Sequence, residues 1–197
     1  MINLKKGSSI SLEKDGKNLE QVYIGLNWGK IKRWLGLSEE DVDLDGSVTE
    51  FNEAKHEVDT VYFNKKVSND GAIKHSGDDR GGDSSNDDKD NEVIFIDLKK
   101  VNPAVTTLVV YLNSYKGQDF DTIPYANVRL MDGDLPNYKN VIATFNLASD
   151  PKYKGKVSVV MAKIVRTSRG WNFVAIGDPV DAKRIDDTIV EIKNHFL

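Results

Sequence analysis

Between Asp70 and Glu92 the chain gathers eight carboxylates, Asp70, Asp78, Asp79, Asp83, Asp87, Asp88, Asp90 and Glu92, against only Lys74, Arg80 and Lys89. That window carries a formal charge of −5 while the whole chain carries −4, so the acidity belongs to one segment and the remainder is near neutral. Carboxylates this dense repel one another, raising their pKa values or splaying the segment, unless a cation compensates them. The Gly, Ser, Asn and Asp content of residues 77 to 91 would otherwise read as a solvated loop. Its ends, however, are pinned: Asn69-Asp70-Gly71 supplies a tight turn before it, and Glu92 leads directly into the apolar run Val93-Ile94-Phe95-Ile96. Calcium is the expected ion, because it takes roughly six to eight oxygen ligands from carboxylates, amides and backbone carbonyls. Zinc or copper would want imidazoles and thiolates.

A second acidic group precedes the loop. Asp41-Val42-Asp43-Leu44-Asp45-Gly46 matches the first half of an EF-hand loop, but Asn52 stands at the twelfth place, where a bidentate Glu is needed. Val58 to Phe63 also reads as a strand where an EF-hand requires a helix. In an extended segment Asp43 and Asp45 project to the same side, since strand side chains alternate, and so form a two-carboxylate arm directed at one place.

Other chemistries find little support. The chain has no cysteine, which removes disulfides, thiolate nucleophiles and Cys-based metal sites and fits a reducing compartment, so the cytoplasm is the expected location. His56, His75 and His195 are far apart and no nucleophile–base motif accompanies them. His75 is expected to hydrogen bond structurally, calcium preferring oxygen. The glycines form no phosphate-cradling loop. Nucleic acid would be repelled by the acidic window. No apolar run approaches the ~20 residues of a membrane span, and the opening residues do not resemble a secretory signal. Trp28, Trp34 and Trp171 are expected in the core or at an interface. No enzymatic activity is expected.

These residues need a scaffold, and the pattern supplies strands. Val22, Ile24 and Leu26 alternate, Val105 to Leu112 is β-branched and aromatic, and Asn127 to Met131 and Val141 to Phe145 alternate again. Lys156 to Thr167 and Trp171 to Ile176 read as a hairpin turning at Ser168-Arg169-Gly170. Many short strands with no helices between them predict an all-β fold, a β-sandwich of two antiparallel sheets, as one domain over residues 1–197. Ile185, Ile189, Ile192 and Phe196 recur at helical spacing and predict a C-terminal α-helix over about 180–196, with Asp178 as cap and Pro179 in its first turn.

Taken in order, Leu4-Lys5-Lys6-Gly7, Val22-Tyr23-Ile24-Gly25-Leu26-Asn27-Trp28, Asp43-Leu44-Asp45-Gly46-Ser47, and Asn69 to Asp83 with its Gly77-Asp78-Asp79-Arg80-Gly81-Gly82-Asp83 resemble the TerD family of tellurite-resistance and stress-response proteins. Asp90-Asn91-Glu92 followed by Val93 to Leu98 extends the resemblance, which continues weakly to Gly177. The resemblance implies a calcium-binding β-sandwich holding one or two ions. It implies as ligands Asp43, Asp45, Asp78, Asp79, Asp83 and the group from Asp90 to Glu92, with Asn64 and the backbone at Gly81 and Gly82 as additions. Asp79, Gly81 and Asp83 stand where the family prefers Asn, Thr and Glu, and residues 84 to 88 lengthen the loop, bringing in Asp87 and Asp88, of which Asp88 joins the ligand set. Lys30 to Asp41 departs from the family pattern and adds Trp34, Leu35 and Leu37, as in a divergent member of bacterial, viral or mobile-element origin.

The expected function is a non-enzymatic, calcium-dependent binding or scaffold module in stress response, with calcium ions and protein partners or copies of itself as its contacts. A second reading is a structural or assembly subunit, of a virion or a multiprotein complex, contacting partners through Lys30 to Asp41 and the terminal helix. A third is a metal-dependent hydrolase using the massed carboxylates.

Overall fold

The computed structural model describes residues 2–85, 89–133, 140–147 and 151–197. In chain order its strands are β1 (Ile2–Asn3), β2 (Ser9–Ser11), β3 (Glu13–Lys14), β4 (Lys17–Asn18), β5 (Gln21–Trp28), β6 (Ile31–Arg33), β7 (Ser38–Glu40) and β8 (Leu44–Asn52). There follow β9 (Glu57–Val61), β10 (Ile73–His75), β11 (Glu92–Asp97), β12 (Val105–Ser114), β13 (Ala126–Asp132), β14 (Asn140–Leu147), β15 (Ser158–Thr167) and β16 (Gly170–Pro179), and then helix α1 (Ile185–His195).

Two six-stranded sheets carry the fold, one in the order β1-β14-β13-β5-β11-β10 and the other β2-β16-β15-β12-β8-β9. All neighbours within them are antiparallel except the short β1, which lies parallel to β14. The alternation read from the sequence is what closes the sandwich. Val22, Ile24 and Leu26 of β5 meet Leu44 and Val48 of β8, Leu108, Val110 and Leu112 of β12, and Met161 and Ile164 of β15 in one core. Burying such side chains stabilises by about 1.5–3 kcal/mol each.

The opposite phase of the second sheet makes a smaller core, in which Phe51, Val109, Tyr111 and Ile176 pack under Ile189 and Ile192 of α1. This helix begins later than the capping pattern suggested. Asp178 and Pro179 finish β16, paired with Val160 and Val159, and Asp178 is ion-paired to Lys6. Arg184 is the N-cap, without a side-chain cap bond, and Asp186 and Asp187 place negative charge at the positive end of the helix. An Asp-Pro pair suits a strand end as well as a helix start, and here strand pairing wins. Asp41 to Asp43 join strand β7 to strand β8, and Leu44 to Gly46 open β8, which settles against the EF-hand match.

Two features read as turns in the sequence are turns. Gly71, at φ 72°, closes on Ser68 while Asp70 accepts the Ser68 hydroxyl and the Ala72 N–H. Ser168 and Arg169 connect Thr167 to its partner Gly170. Strand β6 pairs with β7 as a separate hairpin that carries Trp34, Leu35 and Leu37 outward at its tip.

Candidate metal centre

Asp43 and Asp45 enter the sheet at the head of β8. Alternation puts them in phase with Thr49 and Phe51, opposite Leu44 and Val48, yet both are buried, with Asp78 of the acidic loop beside them and Asp45 lining a cleft shared with Tyr115 and the start of α1. Gly46 lies on the inner phase between them and the core. A Cβ there would sit 2.2 Å from Leu26 Cδ1 and 2.8 Å from Glu92 Oε2, so only glycine leaves room for the fully buried Glu92. Glu92 Oε2 accepts the Gly46 N–H at 2.8 Å and lies 3.3 Å from His75 Nε2. His75 in turn bonds the Gly46 carbonyl through Nε2 at 3.1 Å and accepts the Gly77 N–H at Nδ1 at 3.0 Å, which requires the proton to sit on Nε2. Glu92 and His75 thus fix the arm from beneath and hold the start of the acidic loop.

The loop is shaped by its own side chains. Asp79 Oδ1 accepts the N–H groups of Gly81 and Gly82 at 3.0 and 3.1 Å, and Gly82 adopts φ 72° against the Trp28 ring, where a Cβ would be 2.8 Å from Cδ1. Trp28 also donates from Nε1 to the Val42 carbonyl at 2.9 Å, and the Val42 N–H donates to the Gly81 carbonyl at 2.9 Å. Trp28 and these backbone bonds therefore tie the loop to the aspartate arm.

The consequence is a cluster. One carboxylate oxygen from each of Asp43, Asp45 and Asp78 lies within 4.8 Å of the other two. Around a cation with oxygens at about 2.4 Å, ligand oxygens stand at most about 5 Å apart, so one ion can touch all three. Lys116 Nζ approaches Asp43 Oδ2 at 3.6 Å and Arg80 Nε approaches Asp78 Oδ2 at 3.9 Å. The Asp45 carboxylate has no hydrogen-bond or ion-pair partner among the described residues. Burial first, then the charges of Glu92, Asp43 and Asp78, push its carboxyl up to about 7. Burial also raises Asp43 and Glu92. A hard-oxygen set with uncompensated repulsion fits a metal ion, and nothing soft contributes to it.

The other sequence candidates have separate employment. Asp79 shapes the loop. Asp83 accepts from Asn27 Nδ2 at 3.0 Å and exchanges backbone bonds with Trp28 and Lys30. Asp90 is ion-paired with Arg129 at 2.8 Å and packs over Gly25. Glu92 supports the arm from below, Gly81 contributes its carbonyl to Val42, and Asn64 is exposed. Asp87 and Asp88 lie outside the described residues.

Two polar residues escaped the sequence reading. Asn113 pairs in register with Asp45 and is buried; its Nδ2 donates to Ser158 and Thr188, and its Oδ1 has no partner. Because the Ser158 and Thr188 hydroxyls donate to the Ala182 and Arg184 carbonyls, the amide must present its NH2 to them, which fixes this orientation. Glu50 lies on the inner phase of β8 with Oε1 unpartnered, and burial followed by Asp70 and Asp59 pushes it up to about 7. Its signal was present in the sequence as a charge in phase with Leu44 and Val48.

The TerD domain model matches residues 1–189. The chain is 30% identical over 193 residues to the tellurium resistance protein TerZ of Serratia marcescens, covering 95% of this chain and 94% of that one. It is 32% identical over 201 residues to the stress response protein SCP2 of Bacillus subtilis, covering 95% and 97% respectively. In structure it resembles a homologue of telluride resistance protein from Streptomyces coelicolor, with a TM-score of 0.65 at 19% identity over 89% of this chain and 96% of that one.

Proposed function

This chain belongs to the TerD family, and from that premise we propose that it is a calcium-binding, non-enzymatic scaffold whose ion is held by Asp43, Asp45 and Asp78 at one end of the sandwich. The observation that carries the reading is Asp45, a buried carboxylate flanked by two others and lacking any cationic partner among the described residues. A divalent ion would remove the mutual repulsion and lock loop and arm together, while Asp79, His75 and Glu92 position the ligands without touching the ion. Calcium is favoured over softer metals by the all-oxygen donors.

The non-enzymatic part of the reading rests on how the groups are employed. His75 is committed to the Gly46 carbonyl and the Gly77 N–H, and the loop carboxylates are spent on loop geometry and on Arg129. A chain without thiols offers no soft ligand for tellurium, so a part in tellurite resistance, as in the names of its relatives, would be indirect. The missing cysteines favour a cytoplasmic site of action. No helix among the described residues is long and apolar enough to cross a membrane. The acidic end disfavours nucleic acid as a partner.

The test is thermal unfolding in chelator and in calcium. Binding confined to the folded state should contribute about 2.7 kcal/mol at 100 times Kd, seen as a rise in melting temperature. An unchanged melting temperature counts against the assignment.

A further inference from the structure

Lys116 follows β12 almost directly, and its place beside the acidic end is fixed by the backbone around it. The Tyr115 N–H donates to the Asp43 carbonyl at 2.9 Å, and the Gly117 N–H closes a turn on the Ser114 carbonyl at 3.3 Å. Gln118 Nε2 donates to the Asp41 carbonyl at 3.0 Å. Gly117 holds φ 79°, the left-handed value that such a turn takes most readily with glycine. A flexible stem rooted between these bonds keeps its ammonium next to the aspartate arm.

The ammonium makes two contacts there, one to each half of the candidate centre. Nζ lies 3.6 Å from Asp43 Oδ2, on the arm, and donates to the Arg80 carbonyl at 3.4 Å, on the loop. A carboxylate oxygen and a backbone carbonyl are also ligand types that calcium takes. Lys116 therefore joins arm and loop from the rim with one charge, as the proposed ion would join them from within with two. Among the described residues its ion pair is with Asp43, and Asp45 is left without a cation.

Charge decides whether both cations can stay. Asp43, Asp45 and Asp78 are matched in part by Lys116 and by Arg80, which lies 3.9 Å from Asp78. A divalent ion added to both would turn the centre net positive. A dication and an ammonium sharing Asp43 at about 5 Å repel enough to change affinity on the order of tenfold, even in a water-like dielectric. Arg80 belongs to the loop and moves with Asp78. Lys116 comes from another element, its side chain is 46% exposed, and it opens onto a cleft also lined by Glu40, Asp41 and Asp119, whose carboxylates can receive it.

We infer that Lys116 is a tethered counter-cation that calcium displaces, so that this residue sets the ion concentration at which loop and arm lock together. The inference rests on the calcium reading and adds to it the group with which the ion competes. A tethered competitor acts at high effective concentration, lowering the apparent affinity without changing the number of ions bound.

Calorimetric calcium titration of wild type, Lys116→Met and Lys116→Arg tests this, together with trace acetylation of wild type read by mass spectrometry. Lys116→Met should bind the same number of ions on the order of tenfold more tightly, whereas Lys116→Arg, which keeps the charge, should stay within about threefold of wild type. Calcium should also raise the melting temperature of Lys116→Met by more than it raises that of wild type. Lys116 of wild type should acetylate faster in calcium than in chelator, with the exposed Lys32 unchanged as the control. If wild type binds calcium and Lys116→Met binds it equally or more weakly, the inference is overturned and the calcium reading stands. It is overturned in the same way if Lys116→Arg tightens binding as much as Lys116→Met, since packing and not charge would then be responsible, or if calcium leaves the acetylation of Lys116 unchanged or slower. A wild type that takes up no calcium overturns both.

Discussion

Glu92 Oε2 accepts the backbone N–H of Gly46 at 2.8 Å, across a gap that a single Cβ would close. That bond sets the level of β8 just where Asp45 turns toward Asp43 and Asp78, so a buried acid that is not itself in the cluster governs the three that are. Gly46→Ala should therefore cost more than its volume suggests, about 1–3 kcal/mol from overpacking against Leu26 with the loss of the Glu92 bond added to it. Denaturant unfolding of the ion-free variant measures this. A stability within experimental error of wild type would mean that the gap is not as tight as the structure draws it.

His75 contributes from the other side of Glu92. His75→Ala leaves the Gly77 N–H and the Glu92 carboxylate short of partners in a buried place, which should cost roughly 1–3 kcal/mol for each group left unsatisfied. Substitution of the exposed His56 or His195 provides the control, expected within about 0.5 kcal/mol of wild type. Equal effects at all three positions would remove His75 from the support of the site.

Asp79 separates positioning from ligation. It holds Gly81 and Gly82 by their N–H groups, so Asp79→Ala should loosen the loop that carries Asp78 and weaken calcium binding by about 10–100-fold without changing the number of ions bound. A change in stoichiometry would show instead that Asp79 is itself a ligand.

Acidity should stabilise the ion-free protein. Asp45 and Glu50 titrate near 7 in the folded state, well above ordinary carboxylates, mainly because they are buried. The folded chain thus keeps protons that the unfolded chain releases. Their contribution is fully present below about 4 and is lost as pH rises through 7. Melting temperature in chelator should climb as pH falls from about 8 to 5, and the Asp45→Asn, Glu50→Gln double variant should flatten that slope. In saturating calcium the Asp45 share should vanish, because the ion takes the place of the proton. An identical pH slope in wild type and the double variant would contradict these assignments.

Much of this was legible in the residues, and the division has physical causes. Period-two alternation put Asp43 and Asp45 on one side of a strand, and the pinned ends of the loop brought Asp78 within reach. The family resemblance named more ligands than the geometry gathers, because composition does not reveal which acids already have partners. Asp90 finds Arg129, 39 residues away, and Asp79 finds the backbone of its own loop. Asp178-Pro179 resembles a helix start as closely as the strand end it proves to be. Nothing in the order of residues showed Trp34 facing outward while Trp28 holds the loop to β8; Trp28 closes the long strand β5 and Trp34 follows the short strand β6.

Calcium titration by calorimetry, on wild type and on the Asp43→Ala, Asp45→Ala double variant, tests the central claim most directly. Wild type should give a saturable heat with defined stoichiometry. The double variant should give none, while its ion-free melting temperature stays at or above that of wild type, since the substitutions relieve buried repulsion. Absence of heat from wild type, or equal binding by the double variant, would contradict the assignment of the ion to Asp43, Asp45 and Asp78.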